Sequence, residues 1–154
     1  MLGARYTFRL SGTIALLALT VATARGTTTS EPTVEELKAR VPSLKVGDRP
    51  HLCVQIAQKQ LVEADKFYAA ADVEKGQAAL VDVVAYSELA RDYAIQSHKY
   101  QKQSEIAVRA MARKLTEVMH SLGGDEQAPV RDAVNRLQRV RDDLLMAMFP
   151  KGAR

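Results

Sequence analysis

Cysteine is nearly missing from this chain: 154 residues hold one thiol, Cys53. A single thiol excludes an intrachain disulfide framework, a CxxCH haem attachment and any cluster held by several thiolates. Tryptophan is absent and aromatic residues make up only 5%. No glycine-rich phosphate loop, no GxSxG nucleophile elbow and no HExxH zinc motif occurs. Breakers are scarce as well. No proline lies between Pro50 and Pro129, and Gly76 is the only glycine between Gly47 and Gly123. Long apolar runs are lacking, which excludes a multi-span membrane protein. What remains, 47% hydrophobic and 26% charged residues, is the balance of an ordinary globular chain.

The first 24 residues have the three zones of a secretory signal. Arg5 and Arg9 give a positive start, residues 14–24 are apolar, and Ala22-Thr23-Ala24 places small residues where a signal peptidase reads. No acid precedes Glu31. The apolar run is shorter than the roughly 20 residues of a spanning helix, and Thr20 and Thr23 weaken it further. The expectation is an exported protein, periplasmic or secreted, touching a membrane only through this segment if it stays uncleaved. Its removal leaves 130 residues, one domain, and takes two arginines away, so the formal charge falls from +4 to +2. That is weak for a nucleic-acid binder, and no nucleic-acid partner is expected.

The breaker-poor stretch reads as helices joined by tight turns. Residues 25–48 form an N-terminal tail with one short helix at 33–40, where Thr33 and Glu36 have capping-box spacing. Leu37, Val41, Leu44 and Val46 can fold this segment onto the body. Four long helices follow within 49–149, ahead of a tail at 150–154. The first, residues 50–70, has the seam Val54, Ala57, Leu61, Ala64, Tyr68 and Ala71. The second, 73–97 with Asp72 as its cap, has Ala79, Val83, Tyr86, Ala90, Tyr93 and Ser97. Leu80, Val81, Val84 and Leu89 widen that apolar surface, so this helix is expected to be the most buried. The third, 104–121, runs Val108, Met111, Leu115, Val118, Leu122. The fourth starts at Asp125 or Gln127 and runs Val130, Ala133, Leu137, Val140, Leu144, Ala147. The expected fold is all-α, an up-and-down four-helix bundle with a short N-terminal helix. Two alternatives stay open. Residues 98–102 contain no Gly or Pro, so the second and third helices could form one rod. The corner at 67–74 also has the flavour of tetratricopeptide-like helical hairpins, although no repeat of about 34 residues accompanies it.

Several constellations could carry chemistry. Up-and-down topology gathers His51, Cys53, His98, Met146 and Met148 at one pole. Imidazole with thiolate or thioether suits a metal site at His51, Cys53 and His98, or copper or haem through His51, Met146 and Met148. The plainer expectation is a packed end with no cofactor: padding methionines, a small buried Cys53 and exposed histidines. Glu117 and His120 have the spacing of a di-metal carboxylate motif, but no second copy exists and both fall outside the seam. Tyr86, Tyr93 and Tyr100 recur every seven residues and are expected to be core or half-core. Residues 99–114 carry a net +4, and 72–92 a net −3. Lys102, Arg109, Arg113 and Lys114 could therefore bind an anionic polymer or lipid surface, or simply pair with the acidic helix beside them. No aromatic residue lies between Tyr100 and Phe149 to stack a base. No nucleophile or isolated carboxylate pair supports catalysis.

The segments PHLCVQIAQ, DVVAYSELARDYAIQSHK, EIAVRAMARKL and QAPVRDAVNRLQRVRDDLL together resemble a group of small exported helical-bundle proteins of unknown function from soil bacteria. The resemblance spans about residues 50–149. It implies export and a helical bundle; it implies no activity and transfers no site residue. The expected function is therefore a non-catalytic interaction or scaffold module, with an unidentified protein partner or self-association. The rivals are a metal- or haem-binding bundle and a binder of anionic surfaces.

Overall fold

The computed structural model describes residues 31–150. The expected leader at 1–24, residues 25–30 of the tail and residues 151–154 lie outside the described residues. Within 31–150 the chain forms α1 (Val34–Arg40), α2 (Arg49–Ala69), α3 (Val73–Ser97), α4 (Gln101–Ser121) and α5 (Gly124–Met148). Two 3-10 turns, Val41–Ser43 and Val46–Asp48, connect α1 to α2. The fold is all-α: a four-helix bundle preceded by a short helix.

Local chemistry explains most boundaries. The capping box of α1 is complete: the Glu36 amide donates to Thr33 Oγ1 at 3.2 Å, and the Thr33 amide donates to Glu36 Oε2 at 2.9 Å. Such a cap stabilises a helix start by about 1 kcal/mol. Pro50 lies in the first turn of α2, where a missing N–H removes no helical bond. Asp72 caps α3 by accepting from the Lys75 amide at 3.3 Å. Arg49 folds back and donates to the carbonyls of Leu44 and Pro42 at 3.0 and 3.1 Å, tying the connector to α2.

Three details differ from expectation. Ala71 is exposed with a φ of 58°, because it forms the α2–α3 corner instead of extending the α2 seam. The α3–α4 reversal needs no glycine: His98 and Tyr100 take left-handed conformations, φ 55° and 59°. The turn is complete by Tyr100, so α4 starts three residues before the expected 104 and no continuous rod forms. α5 begins at Gly124, which places Pro129 inside the helix.

Ion pairs and ring contacts give the register. Lys114 meets Asp65 at 3.0 Å, and Tyr100 stacks on His51 with ring centroids 5.7 Å apart. Both partners advance together, so α4 runs parallel to α2. Arg136 meets Glu88 at 2.8 Å and Arg91 meets Asp143 at 2.9 Å, so α5 runs parallel to α3. Arg141 meets Glu105 at 3.0 Å, consistent with the antiparallel α4–α5 hairpin. Directions alternate along the chain, but the neighbours do not follow chain order. Two antiparallel hairpins, α2–α3 and α4–α5, pack side by side, with α2 beside α4 and α3 beside α5. No Cα of α2 comes within 8 Å of α5. The hairpins are matched in size: α2 and α4 have 21 residues each, α3 and α5 have 25 each.

The main core joins all four helices through Ala57, Leu61, Ala64, Val83, Val108, Leu115, Val130, Leu137 and Leu144. A second cluster lies where α1 and its connector cover the α2–α3 hairpin: Leu37, Val41, Leu52, Cys53, Ile56 and Ala90. Full burial of a residue such as Leu37 contributes about 1.5–3 kcal/mol toward seating this seven-residue helix, with Val41 and the Thr33 capping box adding to it. Of this segment's predicted apolar anchors, Leu37 and Val41 are buried, and Leu44 and Val46 are half-buried. Lys38 reinforces the seat by donating to Asp82 of α3 at 2.7 Å.

Candidate functional site

The pole expected to hold metal or haem ligands is real as a place, and its side chains do not converge. His51 is exposed, lies 3.0 Å from Gln55 Nε2 and stacks on Tyr100. Cys53 is fully buried in the second core cluster. Burial pushes its thiol from the ordinary 9.0 to about 11, despite the opposing charge of Arg49. A neutral, enclosed thiol is a packing group, not a ligand. His98 is exposed and caps α3 in the left-handed region. Met146 is 61% exposed on the outside of α5, and Met148 is half-buried. Of His51, Cys53 and His98, the thiol is buried while both imidazoles are exposed. His51 and Met146 are exposed and Met148 is half-buried, on helices α2 and α5 that have no Cα atoms within 8 Å of each other. Among the described residues no three His, Cys, Asp or Glu side chains are grouped to hold a metal ion. Glu117 and His120 are both exposed.

The basic residues of α4 do not pair with α3. No ion pair joins those helices among the described residues, because the hairpin arrangement sets α3 against α5. The acids of α3 find other partners: Asp82 takes Lys38, and Glu88 takes Arg136. Asp143 of α5 likewise takes Arg91 of α3. On α4, Lys114 pairs with Asp65 of α2, and Arg109 lies 3.7 Å from Glu105 of its own helix. Lys102 and Arg113 are exposed and make no ion pair among the described residues. Lys102, Arg109 and Arg113 therefore share an open flank with Ile106, which is 45% exposed.

The tyrosine series splits. Tyr86 and Tyr93 are half-buried under the α1 segment, with Lys38 5.8 Å and Arg49 5.1 Å from their ring centres. Tyr100 lies beyond α3, 38% exposed at the corner.

Two features escaped the sequence. Glu105 looks like one acid on a basic helix, yet it is buried and held by Arg141 from α5. Its position beside the Ser104 and Val108 seam was the available signal. Val81 and Leu89, expected to deepen the burial of α3, are 68% and 36% exposed. They lie outside the stripes of α3 that meet α2 and α5. Beside Val81 a shallow groove of about 210 Å³ runs between α3 and α5, lined by Leu80, Val84, Pro129, Ala133 and Arg136.

Comparison with known protein families, curated proteins and solved structures returns no match.

Proposed function

We propose that this is an exported, non-catalytic interaction module that works through its outer surfaces. Much of its chemically capable inventory is committed to structure. Cys53 is sealed in the core, Glu105 is neutralised by arginine, and Asp82, Glu88 and Asp143 are paired between elements. Large apolar residues stay outside. The observation that carries the reading is Val81, 68% exposed on the rim of the α3–α5 groove. An apolar knob beside an apolar hole is self-complementary, so a second copy can insert its Val81 into the groove while receiving the first copy's in turn.

Sedimentation velocity across a concentration series tests this. The wild-type chain should shift toward a dimer, and Val81→Lys should stay monomeric with an unchanged melting temperature. A wild-type chain that remains monomeric at the highest soluble concentration overturns the contact.

A second reading is favoured by the open flank of α4. Lys102, Arg109 and Arg113 face solvent and are free of α3, the arrangement that binding an anionic polymer or lipid surface requires. Binding there should be salt-sensitive and should weaken in Arg109→Gln/Arg113→Gln.

A further inference from the structure

We infer that the end of the bundle formed by the start of α2, the α3–α4 corner and the end of α5 docks on an anionic phospholipid bilayer. This surface is distinct from the α4 flank and shares only Lys102 with it.

The register brings the elements together. His51 at the start of α2 stacks on Tyr100, and the stem of Lys99 lies across Gly47, where an added Cβ would come within 2.9 Å of it. The Glu105–Arg141 pair sets the antiparallel α4–α5 register, which brings Met146 and Phe149 level with the start of α4. The end therefore presents three large exposed side chains, Phe149 at 72%, Met146 at 61% and Tyr100 at 38%. Around them lie Lys45, Lys99 and Lys102, all exposed and without an ion pair among the described residues. Asp48 is the opposing exposed acid of the α2 approach.

The opposite end has the reverse character. Asp72, Glu74, Asp125 and Glu126 cluster near the α2–α3 and α4–α5 corners, among small residues such as Ala70, Ala71, Gly123 and Gly124. The molecule is thus polarised along its axis. At the far end Lys75 pairs with Asp72 and Lys66 with Glu63, whereas Lys45, Lys99 and Lys102 stand without an ion pair beside the exposed Phe149, Met146 and Tyr100. Lysines attract the negative surface potential of an anionic leaflet, and aromatic and thioether side chains partition into its interface. Neither feature alone makes a docking surface; their coincidence matches the two-part chemistry of a bilayer.

The corner is built without glycine. His98 and Tyr100 hold left-handed conformations in which glycine would be less strained. The turn thereby projects His98, Lys99 and Tyr100, all exposed, from the corner.

The test is co-sedimentation of the exported chain with vesicles of phosphatidylcholine mixed with phosphatidylglycerol, against phosphatidylcholine alone. The wild-type protein should bind the mixed vesicles, bind the neutral ones far less, and be released by salt. Lys99→Gln/Lys102→Gln should weaken partition about 25-fold, at about fivefold for each neutralised lysine. Phe149→Ser should weaken it about tenfold without touching a charge. Glu74→Gln at the far end should leave it unchanged.

Equal binding by wild type and both end variants overturns the inference. No preference for the anionic vesicles overturns it as well. Loss of binding in Arg109→Gln/Arg113→Gln with both end variants intact moves the contact to the α4 flank. Concentration-dependent assembly abolished by Glu74→Lys identifies a head-to-tail second copy as the occupant instead. Dimer formation through Val81 is read separately by sedimentation, so either proposal can fail without the other.

Discussion

Gly76 and Tyr68 should be energetically coupled, and the expected size follows from their contact. Gly76 lies in the first turns of α3, where alanine is intrinsically better by about 1 kcal/mol. A Cβ added there would stand 3.1 Å from Cε1, Cε2 and Cζ of Tyr68, a few tenths of an ångström inside ordinary contact. The ring has little freedom to retreat. Tyr68 is 7% exposed, packs in the main core, and its hydroxyl is buried without a partner. Overpacking at such a site costs about 1–3 kcal/mol. Taking about 2 for the clash and about 1 for propensity, Gly76→Ala should destabilise the fold by about 1 kcal/mol. In a Tyr68→Ala background the clash vanishes, and the same change should stabilise by about 1 kcal/mol. The double-mutant coupling is then about 2 kcal/mol. Domains of this size have a stability on the order of 10 kcal/mol, so all four proteins of the cycle should remain folded. Urea unfolding followed by far-UV circular dichroism supplies the free energies. If Gly76→Ala stabilises equally in both backgrounds, the close approach at this corner is not a constraint and the reasoning fails.

Other expectations follow from single contacts. Arg141→Met leaves the Glu105 carboxylate buried with only the more distant Arg109, and should cost about 2 kcal/mol; adding Glu105→Gln should recover most of it in the same unfolding assay. Cys53 should resist thiol reagents in the folded chain near neutral pH and react readily in denaturant, and rapid labelling without denaturant would contradict its enclosure. Because its folded pKa is raised, the stabilisation from the neutral thiol is complete below pH 9.0. It is lost as pH rises from there through about 11, which a denaturation series over that window would detect. His98→Gly relieves a left-handed residue at the α3 terminus and should raise stability by about 0.5–1 kcal/mol by calorimetry; a loss would mean the imidazole stabilises the corner through contacts of its own.

Helix count, helix faces and several boundaries were legible in the linear chain because their causes are local. Thr33 and Glu36 sit three residues apart and cap each other, Asp72 reaches the Lys75 amide, and Gly123 stands at the N-cap of α5 in the short break after α4. The repeating seams needed only the period of the helix, and Leu61, Val83, Leu115 and Leu137 are buried as that period requires. Partner choice was not legible, because it depends on which stripe of one helix fits which neighbour across the bundle. Nothing between residues 73 and 121 announces that α3 lies beside α5 and diagonal to α4. That arrangement sends Asp82 and Glu88 to α1 and α5, leaves the α4 flank open and keeps Val81 in solvent. It also turns Glu105 from an apparent surface acid into a buried one held by Arg141. Capping and periodicity act over one or two turns of backbone, so residue order suffices for them; burial and ion pairing are settled by neighbours 36 to 48 positions away, which only the packed hairpins bring within reach.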